Sequence, residues 1–454
     1  MIQHSSHEEK RERWGTRLGF ICAAMGSAVG LGNIWRFPYI AGENGGAAFI
    51  LIYLVCIIGC GLPIMLGELV MGRAAQTDAV GAYDKLAQSR VWSVGGMLGV
   101  IAGFFILSFY SVVAGWAAKY FFLALGDSLL HLDSSGTDYG NFFGSYIAEI
   151  WEPIFWQGVM MGATILMVAR GVKNGIERWN RILIPILAFL VIILAGYSVS
   201  LDGAKKGLTF LFAPDWNKLF EPEIYIIALG QAFFSLSIGM AVFVTYGSYL
   251  SPKTRLPSTV GAIAMGDTVF AIMAGLAIFP AVFAFGVSPA AGPGLSFIVL
   301  PGLFQFMPFG KTMSLLFFGL LVFAALTSMA SLLEVPVSYF MRLLSQSRAK
   351  CTLIVGIAIY IVGIPSSLGF GVLDDIKWGN KSILDTMEFI MLNLALPVGG
   401  IVTALFVGWA WRDRPALDDI GFGKKIIGYL WLFLLRFTAP ITVFSILLRK
   451  LDLI

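Results

Sequence analysis

The feature that most constrains this chain is the recurrence of long apolar runs. Eleven of them, near 17–40, 47–72, 94–125, 154–170, 180–200, 223–250, 258–285, 311–343, 351–370, 384–411 and 426–448, are long enough to cross a bilayer. Mean hydropathy is +0.83, and 58% of residues are hydrophobic against 13% charged. In hydrocarbon every backbone polar group needs an internal partner, and runs of this length meet that need as helices. Several runs exceed twenty residues, so tilt or extension beyond the bilayer is expected.

One stretch inside the first run resists this rule. From Ala24 to Pro38, glycines fall at 26, 30 and 32, and Asn33 and Arg36 follow at once. Glycine in a helix interior costs about 1 kcal/mol against alanine. Broken backbone at membrane depth is tolerated only where its freed amides and carbonyls line a cavity or bind something. Span 6 repeats the pattern, with Ser235, Ser237 and Gly239 at mid-run. If each of these spans opens a five-helix unit, the odd count sets the two units in opposite orientations. A matched pair of interrupted helices in inverted halves points to the central site of a transporter. Close packing of small residues is the plainer reading, but it leaves Asn33 and Arg36 unexplained.

Charge sets the expected topology. With the N-terminus inside, 20 Lys and Arg fall in inner segments and 8 in outer ones. This bias predicts a cytoplasmic N-terminus and an extracellular C-terminus. The net charge of +4 then reflects topology and gives no sign of nucleic-acid binding. The first sixteen residues are polar and no small-residue cleavage site follows the first run, so no removable signal peptide is expected. Cys22, Cys56, Cys60 and Cys351 all lie in or beside apolar runs, and no disulfide is expected. His4, His7 and His131 lie outside the runs, which excludes an intramembrane histidine relay or histidine-ligated metal. The acidic, polar segment 126–152 reads as a short outer connection.

Specific residues then carry a resemblance. Arg17, Leu18 and Gly19, the 24–38 stretch, and Glu43 to Gly46 closely resemble the start of the neurotransmitter:sodium symporters. The likeness continues through Pro63, Gly67, Glu68 and Met71 to Arg73. It holds at Arg170, Gly171 and Gly175 to Glu177, at Gly230 to Ser237, and at Ala324 to Ser328. It covers nearly the whole chain and lies nearest to bacterial members that carry several hydrophobic amino acids. The resemblance implies an all-α polytopic membrane protein with the LeuT fold. That fold is a 5+5 inverted repeat (17–200 and 223–411) plus an extra eleventh helix (426–448), with residues 1–16 as a cytoplasmic segment and spans 1 and 6 unwound at mid-membrane.

It also implies two sodium sites as the chain's cofactors. A hard cation takes oxygen ligands, which unwound carbonyls and Ser, Thr, Asn and Asp side chains supply. The first site would use Ala28, Asn33, Ser235 and an acid or amide from span 7. The second would use the carbonyls of Gly26, Val29 and Ala324 with the hydroxyls of Thr327 and Ser328. In isolation, Thr327 and Ser328 read as hydroxyls bonded back to their own helix. At the span 7 position the family often carries Asn. Anchoring on Gly275 and Pro280 aligns Gly266 there, with Asp267 one residue on and Phe270 where chloride-independent relatives place an acid. A lone carboxylate at mid-membrane costs about 2.5–3.5 kcal/mol on insertion scales. The expectation is that Asp267 ligates sodium and replaces chloride; the alternative is an Asp capping the start of span 7.

By the same resemblance the substrate is a neutral hydrophobic L-amino acid, aliphatic or aromatic. Leu31 and Gly32 amides and the Tyr110 hydroxyl would hold its carboxylate, since half-helix N-termini suit an anion. Carbonyls of Ala28, Phe234 and Ser237 would take the ammonium. Gly30 stands where amine transporters of the family carry Asp, and its missing side chain leaves room for the substrate's own carboxylate. Ile106, Tyr110, Phe234, Met240, Ser331 and Leu332 would form an apolar pocket, in which Met is adaptable. Arg36 and Glu388 would be the outer ion pair, with Phe234 as an aromatic lid. Glu68 would brace the unwound segments. Arg11 and Trp14 resemble an inner latch, but Arg342 stands where its acid is expected. Pro185, ten residues after Gly175, removes a backbone bond near the inner end of span 5 and would let it unwind. The implied activity is sodium-coupled import across the cell membrane, without covalent chemistry. The runner-up is a proton-coupled amino-acid carrier using Asp267 or Glu334. The spans show no histidine or acid dyad for an enzyme and no charged ring for a channel.

Overall fold

The computed structural model describes residues 11–126, 138–252, 254–286, 294–411, 417–422 and 425–450. His4, His7 and His131 lie outside them, as do residues 127–137 of the connection read at 126–152 and residues 1–10 of the N-terminal segment. Among the described residues the chain is helical, apart from one isolated bridge between Trp378 and Lys381.

Among the described residues nine helices are long and apolar enough to cross a membrane: Ala47–Ala75, Arg90–Leu125, Trp151–Ala169, Val172–Val199, Leu256–Ala284, Gly310–Leu344, Arg348–Leu368, Ile383–Ala410 and Ile426–Arg449. A further span is a pair, Arg17–Ala28 and Gly32–Glu43, meeting at a 69° bend. A second interrupted pair, Pro222–Ser235 and Val242–Gly247, flanks a non-helical stretch in which Ser237, Gly239 and Ala241 all have positive φ. The breaks fall where the small residues cluster in the sequence. The segment 126–152 is more than a connection. It holds the helix Tyr139–Ala148, whose N-cap Asp138 accepts the Gly140 and Asn141 amides, the usual way an orphan helix N-terminus is satisfied.

Large apolar side chains cover the outside. Val55, Phe155, Leu166, Phe189, Ile361 and Phe433 are exposed on different helices, as suits a lipid-facing surface. The centre is formed by Gly310–Leu344 packed along Arg90–Leu125, while Ile426–Arg449 is the least buried of the nine. The Arg17–Ala28 half-helix packs against Gly310–Leu344, Val172–Val199 and Leu256–Ala284. That packing brings both breaks to one point inside the bundle. All four cysteines are buried and free.

Candidate functional site

The two broken helices are tied together at their breaks. Ser237 Oγ donates to the Ser27 carbonyl at 2.8 Å, and Ser331 Oγ donates to Ser27 Oγ at 2.8 Å. Glu68, fully buried, accepts the Gly239 amide at 2.9 Å. Gly239 sits at φ +83°, and a Cβ there would collide with the Leu396 carbonyl, so no other residue fits. In the first break Asn33 Oδ1 accepts the Gly30 amide at 3.1 Å, and the Leu31 amide donates to Tyr110 OH at 3.2 Å.

A first polar cluster centres on Asp267, which is fully buried. Asn33 Nδ2 donates to its Oδ1 at 2.7 Å, and Ser235 Oγ lies 3.0 and 2.8 Å from its two oxygens. Tyr53 OH donates to Oδ2 at 3.3 Å. Asp267 lies well inside the Leu256–Ala284 helix, whose N-cap is Arg255. The capping alternative is therefore wrong: the carboxylate faces the breaks and cannot reach the helix start. Gly266 instead packs against Met25. Every hydrogen-bond partner of Asp267 is neutral, and among the described residues no Lys or Arg pairs with it. A buried carboxylate with only neutral partners is a fit for a cation.

A second cluster joins the first break to Gly310–Leu344. Ser328 Oγ lies 3.1 Å from the Gly26 carbonyl and 3.4 Å from that of Val29. Thr327 Oγ1 donates to the Ala324 carbonyl at 2.9 Å, a bond within its own helix. These neutral oxygens form a donor set suited to a hard cation. Sequence reading missed a neighbour, Asn180. Its Nδ2 donates to Ile176 O at 2.8 Å, while its buried Oδ1 has no hydrogen-bond partner and faces Gly26, where a Cβ would collide with it. A lone Asn three residues past Glu177 carries no sequence signal of this. Tyr53 and Ser27 were also missed; each is an ordinary residue inside an apolar run.

Between the clusters lies a cavity of about 30 Å³, room for about two waters. Ala28, Gly30, Leu31, Gly32, Ile106, Tyr110, Phe234, Ser235, Ser237, Met240 and Leu332 line it, together with Ser27, Asn33 and Ser328. Ser331 does not; its hydroxyl is held behind Ser27. A Cβ on Gly30 would stand 2.9 Å from Ser328 Oγ and 3.0 Å from Tyr110 OH, so hydroxyls occupy the space a side chain would need. The Phe234 ring packs directly on Gly32.

The two ends of the bundle differ. Arg36 lies 5.2 Å over the Phe234 ring, and among the described residues it makes no ion pair with Glu388. The expected outer ion pair is not in contact: the guanidinium lies over the ring, and Glu388 faces it only at longer range. At the end carrying the N-terminus, Arg11 donates to Ser248 Oγ at 2.7 Å and Ser338 Oγ at 3.0 Å and covers the Tyr249 ring. Trp14 Nε1 donates to Tyr246 O at 3.0 Å. The acid beside this latch is Glu334, fully buried, bonded by Tyr249 OH and by Arg348 Nη1 at 2.6 Å. Arg348 also holds Glu12 at 2.7 Å, and Glu12 accepts the Val172 amide at 2.6 Å. Arg342 pairs with buried Asp78. Pro185 is exposed within the Arg178–Val199 helix, which runs through it unbroken.

Known proteins share this architecture. A model of the sodium:neurotransmitter symporter family matches residues 11–138 and 148–452. The sodium-dependent transporter YhdH of Bacillus subtilis is 41% identical over 453 residues, 98% of this chain and 99% of its own. A sodium-dependent transporter of Haemophilus influenzae is 31% identical, covering 98% of this chain and 100% of its own. The crystal structure of MhsT in complex with L-phenylalanine superimposes with a TM-score of 0.89 at 50% identity, over 98% of this chain and 100% of that one.

Proposed function

The chain belongs to the sodium:neurotransmitter symporter family, a family of multi-pass, sodium-coupled membrane transporters, and from that premise we propose that it imports neutral hydrophobic L-amino acids with two sodium ions and without chloride. The observation that carries this reading is the Asp267 cluster beside a cavity lined by polar groups of the two breaks and by the apolar Ile106, Phe234, Met240 and Leu332. Asp267, Asn33 and Ser235 would hold one sodium ion, with the Ala28 carbonyl. Gly26, Val29, Ala324, Thr327 and Ser328 would hold the other. A fixed carboxylate at the first site supplies the negative charge that a chloride ion would otherwise bring. MhsT, half identical in sequence, was crystallised in complex with L-phenylalanine, which supports an aromatic or aliphatic amino acid here.

The residues then have distinct tasks. Leu31 and Gly32 amides and Tyr110 OH orient the substrate's carboxylate. Ile106, Met240 and Leu332 surround its side chain. Phe234 swings off Gly32 to admit it and returns as a lid. The charge bias supports a cytoplasmic N-terminus in the cell membrane. Two sodium ions and a zwitterion carry about two charges inward. At 100 mV that supplies about 4.6 kcal/mol, enough for accumulation on the order of 10³-fold before the sodium gradient is counted. The proton-coupled alternative loses one of its two carriers, since Glu334 is held by Arg348.

Uptake into proteoliposomes, measured for a panel of twenty amino acids, tests the reading. Sodium-driven uptake of leucine and phenylalanine, undiminished in gluconate medium, is expected. Uptake driven by a pH gradient without sodium contradicts the coupling, and loss in gluconate contradicts the role given to Asp267.

A further inference from the structure

We propose that the end of the Val172–Val199 helix nearest the N-terminus is a binding site for the headgroup of an anionic phospholipid. Two adjoining cavities of about 500 and 540 Å³ open there, sharing Asn174, Arg178 and Ile182. Arg170, Lys173, Arg178 and Arg181 line them. Among the described residues none of these four cations has an acidic partner within 4.0 Å. Glu177 also lines the first cavity and Glu12 lies nearby, but both carboxylates are already engaged. Glu177 accepts the Gly15 amide at 2.6 Å, the Thr16 amide at 3.1 Å and Thr16 Oγ1 at 2.9 Å. Glu12 is held by Arg348 and the Val172 amide.

The site differs from an ordinary basic membrane margin. Several other cations at this end are engaged by side chains: Arg348 by Glu334, Arg342 by Asp78, Arg11 by two serine hydroxyls and Arg17 by the Ser258 hydroxyl. Around the start of this helix, by contrast, four cations without acidic partners converge on cavities. From them an exposed apolar stripe, Trp179, Ile182, Ile186 and Phe189, runs along the helix at one-face spacing. Trp179 stands at the junction, where aromatic residues favour the membrane interface. A phosphate in the cavity with an acyl chain along the stripe matches both halves, which a soluble anion does not. Charge-assisted bonds from Arg to phosphate are among the stronger hydrogen bonds.

The test uses the full chain purified in neutral detergent, with thermal unfolding followed as lipid is added. Dioleoylphosphatidylglycerol is expected to raise the midpoint by about 3 °C or more, as any ligand of the folded state does. Dioleoylphosphatidylcholine and inorganic phosphate are expected to leave it unchanged. The double variant Arg178→Gln/Arg181→Gln should lose most of that shift and keep its lipid-free midpoint. An equal shift with phosphatidylcholine, or an undiminished shift in the variant, overturns the proposal. An equal shift with inorganic phosphate overturns it in favour of a soluble anion. Tenfold tighter lipid binding by Glu8→Gln/Glu9→Gln overturns it too, since the chain's own N-terminal segment would then fill the site. Should the double variant not fold, native mass spectrometry of the wild-type chain decides: retained phosphatidylglycerol supports the site, and equal retention of both lipids refutes it.

Discussion

The end of the bundle that carries the N-terminus and the end opposite are closed by different physics. At the first, Glu12, Arg348, Glu334 and Tyr249 form a continuous network, and Arg342 holds buried Asp78. At the other, what lies directly over the cavity is one guanidinium resting on one ring. Removing one partner of a buried ion pair costs about 3–5 kcal/mol. A cation–π contact is worth about 0.5–2 kcal/mol. On the proposed function, the imbalance predicts that the Phe234 end opens first to admit sodium and substrate while the N-terminal end stays shut. Alternating access then requires that filling the site supply the energy to break the network.

Glu334→Gln should break this comparison most severely. It leaves Arg348 facing only the partly exposed Glu12, and the conformer open at the N-terminal end should rise by about 10²-fold. Accessibility of a cysteine introduced beside Ser338 reads this directly; unchanged labelling would remove the network's role as a latch. Arg342→Gln follows. The arginine side chain is 44% exposed, and solvent screening reduces such a pair to about 1 kcal/mol, so the same labelling should rise about fivefold. Phe234→Ala acts at the opposite end. Loss of the ring should raise KM for phenylalanine uptake about tenfold with kcat nearly kept, since the lid adds binding energy of about 1–2 kcal/mol. Glu388→Gln should do least, about twofold or under on either constant, because the half-buried carboxylate makes no ion pair within 4.0 Å among the described residues and faces Arg36 only at longer range. An effect at Glu388 as large as that at Glu334 would erase the contrast between the ends.

Some of this is legible in the sequence, and the rest is hidden for physical reasons. Long apolar runs announce spans because hydrocarbon permits no alternative. The two breaks are visible because Gly26, Gly30, Gly32 and Gly239 sit where a helix has no use for glycine. Asp267 is conspicuous as a lone acid in an apolar run, yet its orientation needs the fold: a cap and a cluster member look alike until the helix start is known. The latch is hard to read because its acid, Glu334, lies before Arg342, buried in the run. Arg342 itself reaches back to Asp78, 264 residues away in the chain. The outer ion pair is expected from the family resemblance, which cannot say whether a guanidinium prefers a carboxylate or a ring.

One measurement bears most directly on the claim that a buried carboxylate couples sodium to substrate. Binding of radiolabelled L-phenylalanine to the purified chain should be recorded against sodium concentration in chloride-free medium, for the wild type and for Asp267→Asn. The wild type should bind with a steep dependence on sodium, and the variant should need at least about tenfold more sodium or fail to bind, since an uncompensated loss of about 1.4 kcal/mol is already tenfold. Binding that ignores sodium in the wild type, or an unaltered sodium dependence in Asp267→Asn, would contradict the coupling role of that carboxylate.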